Sequence, residues 1–188
     1  MDNRSKILHT ALQLFATHSY EGIGIQQIAL AAELTKPTLY HYFGSKQGLM
    51  EAVLREWGEP FLGRIRQAAG YSGDVMVTLK QLAEVQRDYA VAHESFYRML
   101  KAMYTMPHGS PSYRMAAPYL EEEFKIIEEL FRQIAADHGN IREKYPVFAA
   151  TFMGMITTYI DLFLRESTQS RESLLHLVVH QYMHGIFS

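Results

Sequence analysis

Side chains able to do chemistry gather in two short stretches of this chain. Thr35, Lys36, Pro37, Thr38, Tyr40 and His41 fall close together, with Lys46 just beyond them and Gln26 and Gln27 just before. Hydroxyls, amides, a phenol, an imidazole and ammonium groups in that mixture suit phosphate oxygens and base edges. They do not pair a nucleophile with a base. The second stretch is His176, His180 and His184, four apart and therefore on one face of a helix. Neutral imidazoles so placed can hold a metal in pairs. No cysteine exists to join them, so an exposed or dimer-face row is the default, and no metal site or cofactor is assigned. Asp161 stands four residues before Arg165 and reads as its i,i+4 partner, the alternative being a counter-ion for a cationic ligand. No GxSxG elbow, HExxH helix, phosphate loop or dinucleotide fingerprint occurs. Glu172 precedes His176 by one residue more than a Glu-x-x-His metal pair requires. The chain is read as no enzyme, with a helical-bundle catalyst kept as an alternative.

Helices must position these groups. Ile7, Leu8, Ala11, Leu12 and Phe15 recur at helical spacing and predict a first helix over about 3–18, broken by Gly22 and Gly24. A short piece follows from Ile25 to about Ala32, then a turn at Glu33-Leu34-Thr35, then a second piece from Lys36 to about Phe43. Two short helices split by a tight turn make a helix-turn-helix, whose second helix enters the major groove. Ile28, Ala29, Leu34, Leu39 and Phe43 are its candidate packing residues, while Tyr42 reads as structural. Ser45 is a fitting cap for a longer helix carrying Leu49, Val53 and Trp57, which Pro60 is expected to kink or split. Asp74 and Ser95 are candidate caps for the next two helices, and Pro107 to Pro111 is a loop. Leu120, Phe124, Ile127, Phe131 and Ile134 then form the clearest helical stripe, and two more helices run over about 145–166 and 171–186. The expectation is all-α: an N-terminal three-helix head with a helix-turn-helix over 1–45, then a larger helical body over 46–188, to which the resemblance given below adds effector binding and dimerisation.

The chain has 188 residues, 48% hydrophobic and 20% charged, which suits a globular protein with a substantial core. Without cysteine it has no disulfide and is compatible with a reducing cytoplasm. Its N-terminus lacks the apolar core of a signal peptide. The uncharged run between Lys144 and Asp161 reads as a buried helix, being short and polar beside the ~20 apolar residues of a membrane span. A net charge of −2 gives no global attraction to nucleic acid, so any DNA binding must come from a local surface.

The run from Ile28 through Thr35-Lys36-Pro37-Thr38-Leu39-Tyr40-His41-Tyr42-Phe43-Gly44-Ser45-Lys46 to Leu49 closely resembles the DNA-binding signature of the TetR family of bacterial transcriptional regulators. The resemblance spans about residues 4–55. It implies that Thr35 caps the recognition helix and meets a phosphate, and that Lys36, Pro37, Thr38 and His41 stand where relatives touch bases or phosphates. It further implies that Tyr40 contacts the DNA backbone and that Lys46 meets a phosphate beside a helix N-terminus. Gln26 and Gln27 open the preceding helix within reach of phosphate or base. Family members usually have glycine in the turn where this chain has Glu33. A left-handed backbone there would cost a non-glycine residue roughly 1 kcal/mol, and its carboxylate should point away from DNA.

In the body, Phe96, Met99, Met103, Tyr104, Phe124, Phe152, Met153, Tyr159 and Phe163 either fill a core or line an effector pocket. The family resemblance implies that some of them line a cavity. Ala150, Gly154 and Thr158 recur every four residues, and small residues so spaced let a second helix approach closely. The resemblance implies that the last two helices pair with their copies. Leu174, Leu177, Val178, Gln181 and Tyr182 then join the candidate dimer face. The reading is a cytoplasmic, homodimeric repressor released from palindromic operator DNA by a small, largely apolar effector, with no membrane partner. A metal-responsive or effectorless regulator with the same head is the alternative.

Overall fold

The computed structural model describes residues 2–165 and 172–187, the side chains of residues 140, 172–174 and 185–187 excepted. Nine α-helices and one 3-10 turn make up the regular structure of the described residues, and no strand occurs among them. By contact the chain forms two units. The first takes in Met1–Pro60 and His93–Leu120, the second Phe61–Ala92 and Glu121–Ser188.

The first unit is built on α1 (Asn3–Gly22), α2 (Ile25–Ala31), α3 (Lys36–Phe43), the start of α4 (Lys46–Ala68), α6 (Glu94–Tyr104) and the start of α7 (Pro111–Asp137). Asp2 caps α1 by accepting from the Ser5 amide at 2.7 Å. The stripe Ile7, Leu8, Ala11, Leu12 and Phe15 is buried, and α1 packs on α2 and α6. Near its end Ser19 takes φ 62° and ψ 164°, so regular helix stops after His18 and restarts for less than a turn. Ser95 is not a cap. The helix begins at Glu94, and the Ser95 hydroxyl donates to the Gln13 side chain at 3.1 Å. Phe96, Tyr97, Met99, Leu100 and Met103 are the buried face of α6. Trp57 is buried, edge-on to His9 at 5.3 Å and near Phe96 at 6.5 Å between ring centroids.

Pro60 neither splits α4 nor ends it, since the helix continues to Ala68. It lacks only the amide that would bond one turn back. Where α4 passes α7, a Cβ on Gly58 would stand 2.5 Å from the Tyr119 ring, so glycine sets that approach.

The second unit holds the rest of α4 and α7 together with α5 (Val75–Ala92), α8 (Tyr145–Arg165) and α9 (Glu172–Phe187). Asp74 caps α5, accepting from the Val77 amide at 3.0 Å. The α5 helix packs against α8 and α9. Phe131, Phe152 and Tyr182 form an aromatic triangle with centroids 5.5–6.2 Å apart. The Tyr182 hydroxyl donates to the Phe148 carbonyl at 2.6 Å, and burial pushes its ionisation well above the usual tyrosine range. The α8 helix runs 21 residues, longer than its uncharged core suggests, and is long and apolar enough by composition to cross a membrane. The core helix of a soluble protein passes the same test. Ala149, Phe152, Ile156, Tyr159 and Ile160 form its buried face, while Val147 and Leu162 lie exposed on it.

Candidate nucleic-acid interface

The α2–turn–α3 element is held from within by Ile28, Ala29, Ala32 and Leu39, all buried. Leu34 and Phe43 are half-buried, and the Arg4 guanidinium lies over the Phe43 ring at 5.9 Å. Thr35 is the N-cap of α3, its hydroxyl accepting from the Thr38 amide at 3.3 Å and lying 2.8 Å from the Thr38 hydroxyl. Pro37 sits in the first turn, where its missing amide costs nothing. One face of the helix is thereby left to solvent. Lys36, Pro37, Tyr40 and His41 are exposed and Thr38 is half-buried. Lys36 Nζ rests 5.7 Å from the Tyr40 ring centroid.

Tyr42, read from sequence as structural, is as open as Tyr40, at 42% against 41% exposed, and lies edge-on to His41. Only its exposure reveals it, because both tyrosines carry the same pattern in the chain. Gln26 and Gln27 are exposed. Gln27 is already engaged, its amide oxygen accepting from the Gly24 backbone at 2.8 Å to cap α2. Gln26 takes no part in that cap.

Glu33 has φ 55°, the left-handed conformation that favours glycine. Its carboxylate meets Lys6 Nζ at 2.6 Å, and this hydrogen bond and charge hold the Glu33 carboxyl below the usual carboxylate range. The acidic side chain is thus answered by a cation on α1. Lys46 opens α4, which Ser45 caps by accepting from the Gly48 amide at 2.9 Å. Its Nζ lies 4.4 Å from the Tyr20 ring centroid, and burial lowers its ionisation somewhat, opposed by the charge of Glu21. Glu21 in turn accepts from the Ser112 hydroxyl in the first turn of α7. The strained Ser19 therefore aims the two residues that follow it, one toward Lys46 and one toward α7.

Residues 7–53 match the family model of bacterial regulatory proteins of the tetR family. These residues are a DNA-binding segment of the TetR type. Among curated TetR-type relatives, the HTH-type transcriptional repressor AcnR of Corynebacterium efficiens is 25% identical over 186 residues, covering 95% of this chain and 91% of that protein. The HTH-type transcriptional activator FasR of Mycolicibacterium smegmatis is 29% identical over 99 residues, covering 53% of this chain and 45% of FasR, so this match spans less than half the relative's length. A putative fatty acid metabolism regulator from Clostridium perfringens has the same fold, with a TM-score of 0.81, 20% identity, and coverage of 97% of this chain and 99% of that one. AibR, solved with isovaleryl coenzyme A and operator DNA, superposes with a TM-score of 0.75 at 23% identity, covering 96% and 97% of the two chains. TetR-family proteins are DNA-binding transcriptional regulators.

The remaining candidates divide between the two units. Phe96, Met99 and Met103 are buried in the first, where Tyr104 is 44% exposed and stacks on Tyr113. Phe124, Phe152, Met153, Tyr159 and Phe163 belong to the second, with Phe152 and Tyr159 buried and the others half-buried. The sequence did not single out Gln86. It is fully buried in α5, and among the described residues neither end of its carboxamide has a hydrogen-bond partner. A lone amide in the apolar stripe of Leu79, Leu82 and Tyr89 was the available signal.

On the candidate dimer face, Ala150, Gly154 and Thr158 are exposed along α8, and open space surrounds the Gly154 Cβ position. The Thr158 hydroxyl turns inward onto the Gly154 carbonyl at 2.9 Å. Val178, Gln181 and Tyr182 line a groove of about 460 Å³ with Val147, Phe148, Thr151 and Met155. Leu177 is exposed, and the Leu174 side chain lies outside the described residues. Asp161 pairs with Arg165 at 2.6 Å, which meets the i,i+4 reading.

Proposed function

We propose that this protein is a cytoplasmic, homodimeric repressor of the TetR family that binds palindromic operator DNA and releases it when a small, largely apolar effector binds. The observation that carries the reading is the solvent face of α3. There a capped helix start presents Lys36, Pro37, Thr38, Tyr40 and His41, and Lys46 opens the next helix. Residues 1–45 form the DNA-binding head and 46–188 the effector-binding and dimerisation body. The exposed small-residue row on α8 and the groove it shares with α9 support pairing with a second copy. Metabolite-bound AibR supports an acyl-type effector, and buried Gln86 supplies a polar group that such a ligand could satisfy.

The test is selection of bound DNA from a random pool, followed by titration of the selected site with the purified protein. A twofold-symmetric site, bound by a dimer, is the expected result. Exchanging His41 or Thr38 should change which bases are preferred, because a base contact carries sequence information that a phosphate contact lacks. An asymmetric site bound by a monomer would defeat the proposal.

A further inference from the structure

On α9 the Nε2 atoms of His180 and His184 stand 2.9 Å apart, with ring centroids at 4.1 Å. Both rings are exposed. Two nitrogens bonded to one zinc at ~2.0–2.1 Å, at right-angled to tetrahedral bond angles, lie about 2.9–3.4 Å from each other. We propose that His180 and His184 form a two-imidazole site for a divalent transition-metal ion such as Zn²⁺. Unoccupied, the pair holds together only with one Nε2 as donor and the other as acceptor. On metal binding the donor ring moves its proton to Nδ1, so both rings stay neutral and both turn a lone pair to the ion.

Placement favours a cation. His184 lies in the last turn of α9, where the unpaired carbonyls of a helix end give partial negative charge. Among the described residues no group of three or more His, Cys, Asp and Glu could hold a metal ion, so water completes the coordination and the ion exchanges readily. His176 takes no part: its ring centroid is 6.2 Å from that of His180. Bound metal would clip one turn of the helix, as a cross-link between residues four apart.

The test is calorimetric titration of the untagged, full-length protein with zinc chloride alone, with helicity checked by circular dichroism. Wild type should bind, H180A and H184A should each weaken binding by about tenfold or more, and H176A should bind as wild type. The glutamine variants H180Q and H184Q repeat the test with a polar side chain of similar reach. No binding by wild type, or unchanged binding in H180A or H184A, would overturn the site. Equal weakening in H176A would overturn the pair in favour of the whole row.

Discussion

Lys46 packs on an aromatic ring at a capped helix start, with no acidic partner at bonding distance among the described residues. That arrangement leaves its charge available for a phosphate. Lys46→Ala should therefore weaken binding to all DNA sequences alike and reduce the slope of log affinity against log salt by about one unit. Filter binding or fluorescence anisotropy across salt concentrations measures it, and an unchanged slope would remove Lys46 from the interface. Gln86 makes the opposite case, a buried polar group with no hydrogen-bond partner among the described residues. Leucine there removes a buried amide's desolvation, so Gln86→Leu should raise the stability of the free protein by about 1–3 kcal/mol in urea unfolding. The same variant should respond less to the effector. A variant destabilised by the change would mean that the amide has a partner in solution.

At the scale of elements, the join between α3 and α4 is the tightest in the head. A Cβ on Gly48 would lie 2.2 Å from the Phe43 carbonyl oxygen, a backbone atom that cannot swing aside. Gly48→Ala should then cost about 1–3 kcal/mol in thermal or urea unfolding, despite alanine's better helix propensity. Stability equal to wild type would show that α3 can move away from α4 freely. The pair of short helices was legible in the chain because apolar spacing, the Thr35 cap and the turn agree with one another. Pro60 does not split its helix because packing on both sides of it outweighs one lost hydrogen bond, which local sequence does not register. Tyr42 and Gln86 escaped for a related reason: which face of a helix meets solvent, and whether a buried amide finds a partner, depend on distant elements. The apolar body residues were ambiguous because a filled core and a pocket wall use the same side chains at the same spacing.

For the molecule as a whole, the question is what covers α8 and α9. Gly154 faces open space within one chain, so Gly154→Glu has no clash to cause there and gains helix propensity. Across a dyad the same change sets a carboxylate against its own copy. The variant should keep its helicity, run as a monomer by light scattering, and bind the selected site about tenfold more weakly or worse. A Gly154→Glu dimer with wild-type affinity would move the interface to another face.

Trp57 is the only tryptophan, and it is buried within the first unit between His9 and Phe96. Its emission is consequently an optical probe of that unit alone, whereas far-ultraviolet ellipticity sums the helices of both. Melting followed by the two signals together asks whether the chain unfolds as a single cooperative body. Coincident curves are expected, because α4 and α7 each run unbroken from one unit into the other. An ellipticity loss that precedes the red shift of Trp57 would show the second unit melting while the first stays folded.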